Sequence, residues 1–388
     1  MDIIRLNGAV KEYAWGNTEY IPSLIGNADG KPKAELWMGT HFSGEATTED
    51  GEKLSEYLKK HPEAFGDSHL PLLFKVLAIQ NPLSMQCHPD KAQAEEGWKR
   101  EALKREKGLI CNYHDDNGKA EVIAAITPIT AMCGFRPYSQ IRDSLIRLIP
   151  SSYSAHLGGS FDIKSLFCSL YSLPEADRLG LIGEYRESIK SLQSPSWEGN
   201  FLTENGIAER LLGFYPDDIG VLSPYLLNVV HLQIGEALYI KPGTLHSYVF
   251  GNGIELMSAS DNVLRGGLTK KHIDLEELCR IMSFESCPAL TVRSSFDSSG
   301  CRVYDVPSDA FTLVSASSGE YLIRKSCFRI GIVIEGAVRF SDDKGTETFQ
   351  KGSIFMIGKD ESEYLMRVRG IVYFAEVPES HAVCCDRL

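Results

Sequence analysis

Several features that identify common protein classes are missing from this sequence of 388 residues. The chain begins Met1-Asp2-Ile3-Ile4-Arg5 and lacks the basic-then-apolar pattern of a signal peptide. It contains no uncharged apolar run long enough to span a membrane. The ten cysteines are scattered without CxxC pairs. We therefore expect reduced cysteines in the core of a cytoplasmic protein.

Nucleotide-binding motifs are missing as well. The sequence has no GxxxxGK[ST] phosphate loop, and its Gly-Asn-Gly at 251–253 lacks the third glycine of a dinucleotide fingerprint. The net charge of −12 is spread along the chain, which argues against nucleic acid or an anionic membrane as a partner. An anionic ligand would therefore need a local cluster of basic side chains.

What the sequence does contain is the composition of a globular protein, with 43% hydrophobic and 24% charged residues. Residues 1–137 and 217–309 have the pattern of strands and turns, whereas residues 138–216 repeat apolar side chains at helical intervals. Residues 310–388 return to strands and turns. We predict a mainly β protein with an inserted helical domain and a second, C-terminal β-barrel.

A faint internal repeat connects the two β regions. Residues 235–240 line up with residues 352–357, and the same offset carries His246 onto Glu363. The Pro-Gly turn before His246 falls on Lys359-Asp360. The repeat predicts that the last segment is a similar barrel that has lost its metal position, which leaves one metal site per chain. Chance likeness between two amphipathic strands is the alternative.

The segment LSMQCHPD follows an apolar run and precedes a helical pattern that begins at Asp90. Gln86 and His88 are two residues apart, so a strand would place both on one face and Cys87 on the other. Pro89 would end the strand, and Asp90 is a good N-cap for the helix. The segment predicts either the beginning of a metal site or a pair of satisfied polar residues at a sheet edge.

Two later stretches add side chains of the same kind. Glu121 follows the turn sequence DDNGKA, and His246 follows the turn sequence KPGTL. Tyr248 lies two residues after His246 and therefore on the same face of a strand. The Gly-Asn-Gly at 251–253 then predicts a hairpin turn.

These side chains form a candidate ligand set. Gln86, His88, Glu121 and His246 offer one amide oxygen, two imidazoles and one carboxylate. Each lies at a predicted strand end or just after a turn, where the mouth of a β-barrel would collect them. Zn²⁺, Fe²⁺, Mn²⁺ and Co²⁺ all suit this set, so ligand type leaves the metal open.

Several motifs, in order from about residue 11 to residue 275, resemble those of one enzyme family. They are YAWG at 13–16, AELWMG at 34–39, LFKVL at 73–77, SMQCHPD at 84–90, CGFR at 133–136, PGTLHSY at 242–248 and SDNVLRGGLT at 260–269. The chain resembles the type I mannose-6-phosphate isomerases in these motifs. The resemblance implies cupin-type β-barrels (jelly-rolls) with a helical domain inserted between them.

The resemblance also implies a reaction. One Zn²⁺ per chain would be held by the positions of Gln86, His88, Glu121 and His246. The enzyme would interconvert mannose 6-phosphate and fructose 6-phosphate through a cis-enediol. We expect a monomer whose ligand is a small phosphosugar. The alternatives are an Fe(II) oxygenase, which also uses two histidines and a carboxylate, and a non-catalytic metal-dependent sugar-binding cupin.

Candidate catalytic residues follow from this chemistry. Arg265 has a planar cationic fork that can hold oxyanions of the enediol or the phosphate. The base must reach both C1 and C2 and should titrate near neutrality. We favour Glu255 as the base, acting either directly or through a metal-bound water. Asp261 and Lys119 are the alternatives.

Binding of a phosphosugar needs local cations because the chain as a whole is acidic. The family usually has Lys-Pro-Glu where this chain has Lys-Ala-Glu at 119–121, which keeps the candidate ligand. It usually has Thr-Pro-Lys where this chain has Thr-Lys-Lys at 269–271. Either Lys270 or Lys271 could take the role of the family's lysine, and we favour Lys271 by position. The side chains that we expect to contact substrate are Trp15, Ser84, Lys75, Tyr248 and Lys271.

Overall fold

The computed structural model describes residues 3–62, 69–324, 327–359 and 363–378. Within them, antiparallel strands form a nine-stranded sheet, an eleven-stranded sheet and a two-stranded ribbon. The chain is mainly β, as the sequence predicts. None of the helices in the described ranges is both long enough and apolar enough to cross a membrane.

The strands are numbered in chain order. The eleven-stranded sheet contains β2 (Ala9–Lys11), β3 (Glu35–Met38), β5 (Leu72–Ile79), β6 (Met85–Cys87), β7 (Glu121–Ala125), β8 (Ile129–Phe135), β11 (Leu227–Leu232), β12 (Ala237–Ile240), β13 (His246–Ser258), β14 (Leu264–Gly267) and β15 (Leu290–Thr291). The nine-stranded sheet contains β1 (Ile3–Asn7), β4 (Thr47–Thr48), β16 (Ser294–Phe296), β17 (Arg302–Tyr304), β18 (Thr312–Ile323), β19 (Arg329–Asp342), β20 (Gly345–Gln350), β21 (Ile354–Ile357) and β22 (Tyr364–Glu376). The ribbon pairs β9 (Trp197–Glu198) with β10 (Phe201–Leu202).

Most of the helical residues lie between β8 and β11. The α-helices of the described residues are Tyr20–Ile25, Leu54–Lys60, Lys91–Arg100, Ala102–Glu106, Tyr138–Leu148, Pro150–Ser152, Ile163–Tyr171, Glu175–Ser191, Glu204–Phe214, Ser223–Leu226 and Leu275–Ile281. A π-helical turn at Tyr153–Leu157 and a 3₁₀ turn at Ile219–Leu222 complete the helical block, which we define as the helices from Tyr138 to Leu226. Its apolar side chains share one buried cluster with Cys87 of β6 and Leu264 of β14. The block therefore packs directly on strands that bear candidate site residues.

The segment around β6 has the structure that its sequence predicts. The Asp90 side chain accepts a hydrogen bond from the backbone N–H of Gln93, and the Gln93 side chain accepts one from the N–H of Asp90. This capping box begins the helix Lys91–Arg100. Cys87 is buried against the helical block, so it points away from the face of Gln86.

The predicted hairpin turn at 251–253 is wrong, because β13 continues through it as a single strand. Gly251 has φ +114°, and the ladder between β13 and β8 is irregular between Tyr248 and Phe250. The strand bends there. Before the bend, β13 pairs with β6 and β8, and after the bend it pairs with β5 and β7. One bent strand thus carries His246, Tyr248 and Glu255.

Similar backbone features recur in the two β regions, at the offset of the sequence repeat for β12 and β21 and one or two residues later beyond them. Gly235 and Gly352 have φ +83° and +84° and precede the four-residue strands β12 and β21. The following strands, β13 and β22, have 13 residues each and contain Gly251 and Gly370 at φ +114° and +112°. Glu363 directly precedes β22, whereas Asp360 lies outside the described residues.

The bend in β13 predicts that Gly251→Ala destabilises the protein. A Cβ at this position would lie 2.3 Å from the carbonyl oxygen of Pro128, and φ +114° disfavours a side chain. We expect a loss of about 1–3 kcal/mol in the free energy of unfolding, measured by urea denaturation. Gly183→Ala, in the helix Glu175–Ser191 with open space around its Cβ, is the control and should leave stability equal or higher. Equal destabilisation by both substitutions would contradict this account of the bend.

Candidate active site

His88, Glu121 and His246 come together in the interior, with their potential ligand atoms all within 4.8 Å of one another. His88 Nε2 lies 3.3 Å from Glu121 Oε1, and His246 Nε2 lies 3.4 Å from Glu121 Oε2. The three side chains are buried. His88 follows β6, while Glu121 and His246 are the first residues of β7 and β13. Strand ends therefore supply the group, as the sequence predicts.

Both imidazoles present Nε2 to the carboxylate because Nδ1 has another partner. His88 Nδ1 lies 2.8 Å from the carbonyl oxygen of Asn262, and His246 Nδ1 lies 3.0 Å from that of Thr244. A carbonyl oxygen can only accept, so each neutral ring carries its proton on Nδ1 and a lone pair on Nε2. Two lone pairs then point at a carboxylate, an arrangement that a cation would stabilise.

The charge states fit this description. Burial lowers the pKa of His88 to about 4, so the ring is neutral near pH 7. Its Nε2 is buried without a hydrogen-bond partner among the described residues. Burial would raise the pKa of Glu121, but the positive charge of Lys119 helps to hold it well below its ordinary value. Lys119 Nζ lies 2.8 Å from Glu121 Oε1. The three side chains are thus ready to bind a divalent metal ion.

A cavity, here called the central cavity, lies beside this group. Its lining includes many of the residues that the sequence singles out, namely Lys75, Ser84, Gln86, Lys119, Glu121, His246, Tyr248 and Glu255. Gln86 is half-buried and is the ladder partner of His246. An amide oxygen is therefore available next to the two imidazoles and the carboxylate.

A buried ion pair also lines the central cavity. Lys75 and Glu255 are ladder partners on β5 and β13, and Lys75 Nζ lies 2.9 Å from Glu255 Oε2. Burial raises the pKa of Glu255 despite the opposing charge of Lys75. Burial alone would lower the pKa of Lys75, but Glu255 and Glu35 raise it above its ordinary value. The pair thus combines a permanent cation with a carboxyl group whose pKa is shifted toward neutrality.

Arg265 and Lys271 line a second cavity, here called the outer cavity, together with His114 and Asp274. Arg265 is the ladder partner of Gln86 where β14 pairs with β6, so these two side chains share a face. The charge of Arg265 lowers the pKa of Lys271, which indicates that the two cations are near each other. The residues of the outer cavity therefore lie next to Gln86, the candidate fourth ligand.

Two candidate residues lie outside the lining of both cavities. Asp261 pairs with His41, whose Nε2 is 3.3 Å from Asp261 Oδ1, and hydrogen bonding from His41 lowers the pKa of this carboxyl group. Trp15 stacks on Tyr13 with ring centroids 6.0 Å apart and packs against a buried apolar cluster. Neither contacts the His–Glu–His group in the described residues.

Comparison with known proteins identifies relatives along the whole chain. A family model described as phosphomannose isomerase type I, catalytic domain, matches residues 3–138. Mannose-6-phosphate isomerase of Salmonella typhimurium is 34% identical over 389 residues, covering 92% of this chain and 95% of the relative. The Homo sapiens mannose-6-phosphate isomerase is 32% identical over 409 residues, covering 93% of this chain and 94% of the relative. The chain belongs to the type I phosphomannose isomerase family.

Solved structures of the family agree with this assignment. The apo form of mannose 6-phosphate isomerase from Salmonella typhimurium has a TM-score of 0.86 at 30% identity, covering 97% of this chain and 99% of that one. A mannose 6-phosphate isomerase bound with zinc and yttrium has a TM-score of 0.86 at 31% identity, with the same coverage. The family resemblance predicted from the motifs is confirmed.

The sequence reasoning missed Glu35, which lines the central cavity. Its Oε2 lies 3.7 Å from Lys75 Nζ and accepts a hydrogen bond from the indole of Trp37. The available signal was alternation, because Glu35 and Trp37 share one face of β3 and the ladder places Trp37 opposite Lys75. The pairing of β3 with β5 joins residues far apart in sequence, and the motif alone does not specify it.

The sequence reasoning also missed Asn262, which binds the loop at residues 114–117 and contacts His88. Its fully buried side chain accepts from the backbone N–H of His114 at 2.8 Å and donates to the carbonyl oxygens of Asp115 and Asn117 at 2.9 Å each. Its own carbonyl oxygen is the partner of His88 Nδ1. One residue therefore joins the loop before Glu121 to the ring of His88.

We predict that Asn262→Ala weakens zinc binding. Loss of the side chain leaves buried backbone groups without partners and frees the carbonyl that orients His88. Changes of this kind typically cost about 10–100-fold in metal affinity. Competition between the protein and a chelating dye measures the effect, and Asn117→Ala, with an exposed side chain, is the control. Equal affinities for the two variants would contradict this role of Asn262.

Proposed function

We propose that the chain is a zinc-dependent mannose-6-phosphate isomerase that produces fructose 6-phosphate through a cis-enediol. The observation behind this proposal is the convergence of two imidazole Nε2 atoms on a buried carboxylate, beside a cavity that contains the Lys75–Glu255 pair. Membership of the family supports the same reaction. The relatives are named for mannose 6-phosphate, and one solved structure contains zinc.

Zinc would be held by His88, Glu121 and His246, with the amide oxygen of Gln86 as a further ligand. The donor set fits, because zinc accepts nitrogen and oxygen ligands and a catalytic site keeps one position for substrate or water. When bound, zinc supplies Lewis-acid stabilisation of the negative charge that develops on the sugar oxygen. We propose one ion per chain.

Glu255 is our candidate for the base that moves the proton between C2 and C1. It lines the central cavity, its pKa is raised by burial, and Lys75 fixes the position of its carboxyl group. Lys119 is paired with Glu121, and Asp261 is paired with His41 outside the cavity lining. Glu255 is favoured over Asp261 because it lines the cavity, where a general base must reach the substrate. It is favoured over Lys119 because Lys119 is engaged with a candidate metal ligand.

The phosphate of the sugar would bind in the outer cavity. Arg265 and Lys271 are its cations, and Arg265 shares a face with Gln86 at the edge of the central cavity. A guanidinium can bind phosphate oxygens with two parallel hydrogen bonds. Ser84, Lys75 and Tyr248 would then contact the sugar in the central cavity, whereas contact of Trp15 with substrate stays a prediction.

We also propose the fold organisation implied by the family resemblance. Residues 1–137 and 217–309 would form a catalytic cupin barrel, with residues 138–216 inserted as a helical domain. Residues 310–388 would form a second cupin-like barrel without metal. The helical block between β8 and β11 and the repeated backbone of β12–β13 and β21–β22 support this division. We further propose a monomer, since the candidate site residues of one chain meet without a contribution from a second copy. A cytoplasmic location stays a prediction from the sequence.

The direct test is a coupled assay for fructose 6-phosphate formed from mannose 6-phosphate. We expect turnover that a chelator abolishes and that added zinc restores. Oxygen consumption with iron in place of isomerisation would favour the oxygenase alternative. Metal and sugar binding without turnover would favour a non-catalytic sugar-binding cupin, and either result would contradict the proposal.

Glu255→Gln should abolish turnover while zinc stays bound. An amide cannot accept the proton, and loss of a general base typically costs about 10²–10⁴-fold in rate. In the wild-type protein, kcat/KM should fall at acid pH as Glu255 becomes protonated, with a midpoint above the ordinary carboxyl value because burial raises its pKa. Retained activity in Glu255→Gln, with loss in Asp261→Asn or Lys119→Met, would transfer the role of base.

Lys271→Ala should raise KM for mannose 6-phosphate about 10-fold or more, because a charge-assisted phosphate contact is lost. Lys270→Ala is the matched control, since the side chain of Lys270 lines a different cavity on the side of Tyr215 and Asp218. Steady-state kinetics on both variants measure the effect. A larger KM increase for Lys270→Ala would contradict the choice of Lys271.

A further inference from the structure

A pair of cysteine thiols lies where the helical block meets the segment that follows Arg265. The Sγ atoms of Cys168 and Cys279 are 3.9 Å apart. Cys168 is in the helix Ile163–Tyr171, and Cys279 is in the helix Leu275–Ile281. Both side chains are free thiols that are partly exposed, so small reagents in solution can reach them.

Other contacts join the helix Ile163–Tyr171 to residues on either side of the helix Leu275–Ile281. The ring of Phe167, next to Cys168 in sequence, packs edge-to-face against Phe284 with centroids 5.8 Å apart. Tyr171, in the same helix, donates its hydroxyl to the carbonyl oxygen of Gly266. The approach of the two thiols therefore follows from how the elements pack.

We propose that Cys168 and Cys279 form a reversible disulfide when a small-molecule disulfide is available as oxidant. The bond would join the helical block to the helix Leu275–Ile281. The segment before that helix contains Lys271, which lines the outer cavity with Arg265. With Tyr171 bound at Gly266 and the disulfide at Cys279, both ends of this segment would be fixed to the same helix.

The reaction is a thiol–disulfide exchange in two steps. Burial and the neighbouring thiol raise the pKa of Cys279 to about 11. In the first step, the thiol of Cys168 loses its proton to solvent. Its thiolate bonds to one sulfur of oxidised glutathione and expels the other half as a thiolate. The Cys279 thiolate, favoured by the charge of Lys164, then attacks the Cys168 sulfur and expels the second glutathione thiolate. The two protein thiols lose two protons and two electrons, and oxidised glutathione becomes two reduced molecules.

The test uses the full, zinc-loaded chain, first reduced and then incubated with oxidised glutathione without denaturant. We expect the intact mass to fall by two hydrogens and the peptide map to contain a Cys168–Cys279 link that dithiothreitol reverses. Cys168→Ser and Cys279→Ser should each remove the link. Cys111→Ser, at another partly exposed cysteine, should retain it. A stable glutathione adduct, a link between other cysteines or an unchanged mass would overturn the proposal.

The effect on substrate binding rests on the proposed isomerase function and has its own readout. We expect oxidation to change KM for mannose 6-phosphate about two-fold or more in the wild-type protein, since the added bond restricts the segment that contains Lys271 and so alters the entropy of binding. The Cys168→Ser variant should not respond to the oxidant. Equal KM values before and after oxidation would overturn this effect. Absence of isomerase activity would contradict the proposed function instead, while the mass spectrum would still decide the disulfide.

Discussion

Two imidazole lone pairs directed at one buried carboxylate are the constraint on which the rest of this site depends. The rings of His88 and His246 are held in this orientation by backbone carbonyls, at 2.8 Å and 3.0 Å from Nδ1. Lys119 balances the charge of Glu121, but the buried Nε2 of His88 has no hydrogen-bond partner among the described residues, which is unfavourable in the interior. Metal binding would complete this arrangement, and Asn262 and Thr244 would then support the metal site although neither is a candidate ligand.

The bend in β13 brings a candidate metal ligand and the candidate base close together. Its first residue, His246, belongs to the candidate ligand group, and Glu255, beyond the bend at Gly251, pairs with Lys75 in the lining of the same cavity. A straight strand would rise about 3.3 Å per residue and would separate His246 and Glu255 by about 30 Å. The positive φ of Gly251 is thus the local feature that lets one strand contribute both side chains to the lining of a small cavity.

Local parts of the fold could be predicted from the sequence because they depend on neighbouring residues. The buried strand β5, the Asp90 cap and the opposite faces of Gln86 and Cys87 follow from periodicity and capping chemistry. The bend at Gly251 was predicted as a hairpin turn, since glycine permits positive φ in turns and in bends alike. Only the partners of β13, which lie far away in sequence, distinguish the two.

The candidate site divides in the same way. Its metal-ligand set could be assembled from residue type and strand ends, and the motif resemblance gave the family. Glu35 could not be found, because its role depends on the pairing of β3 with β5. The sequence also gave no indication that Arg265 and Lys271 line a cavity of their own, or that Asp261 is occupied by His41. Long-range contacts decide each of these points.

Zinc K-edge X-ray absorption of the metal-loaded protein, with the metal content measured on the same sample, tests the central claim most directly. The account predicts one zinc per chain in a nitrogen and oxygen environment with imidazole scattering, and that scattering should decrease in the His246→Ala variant. Sulfur scattering around the metal, or a spectrum unchanged by His246→Ala, would contradict it.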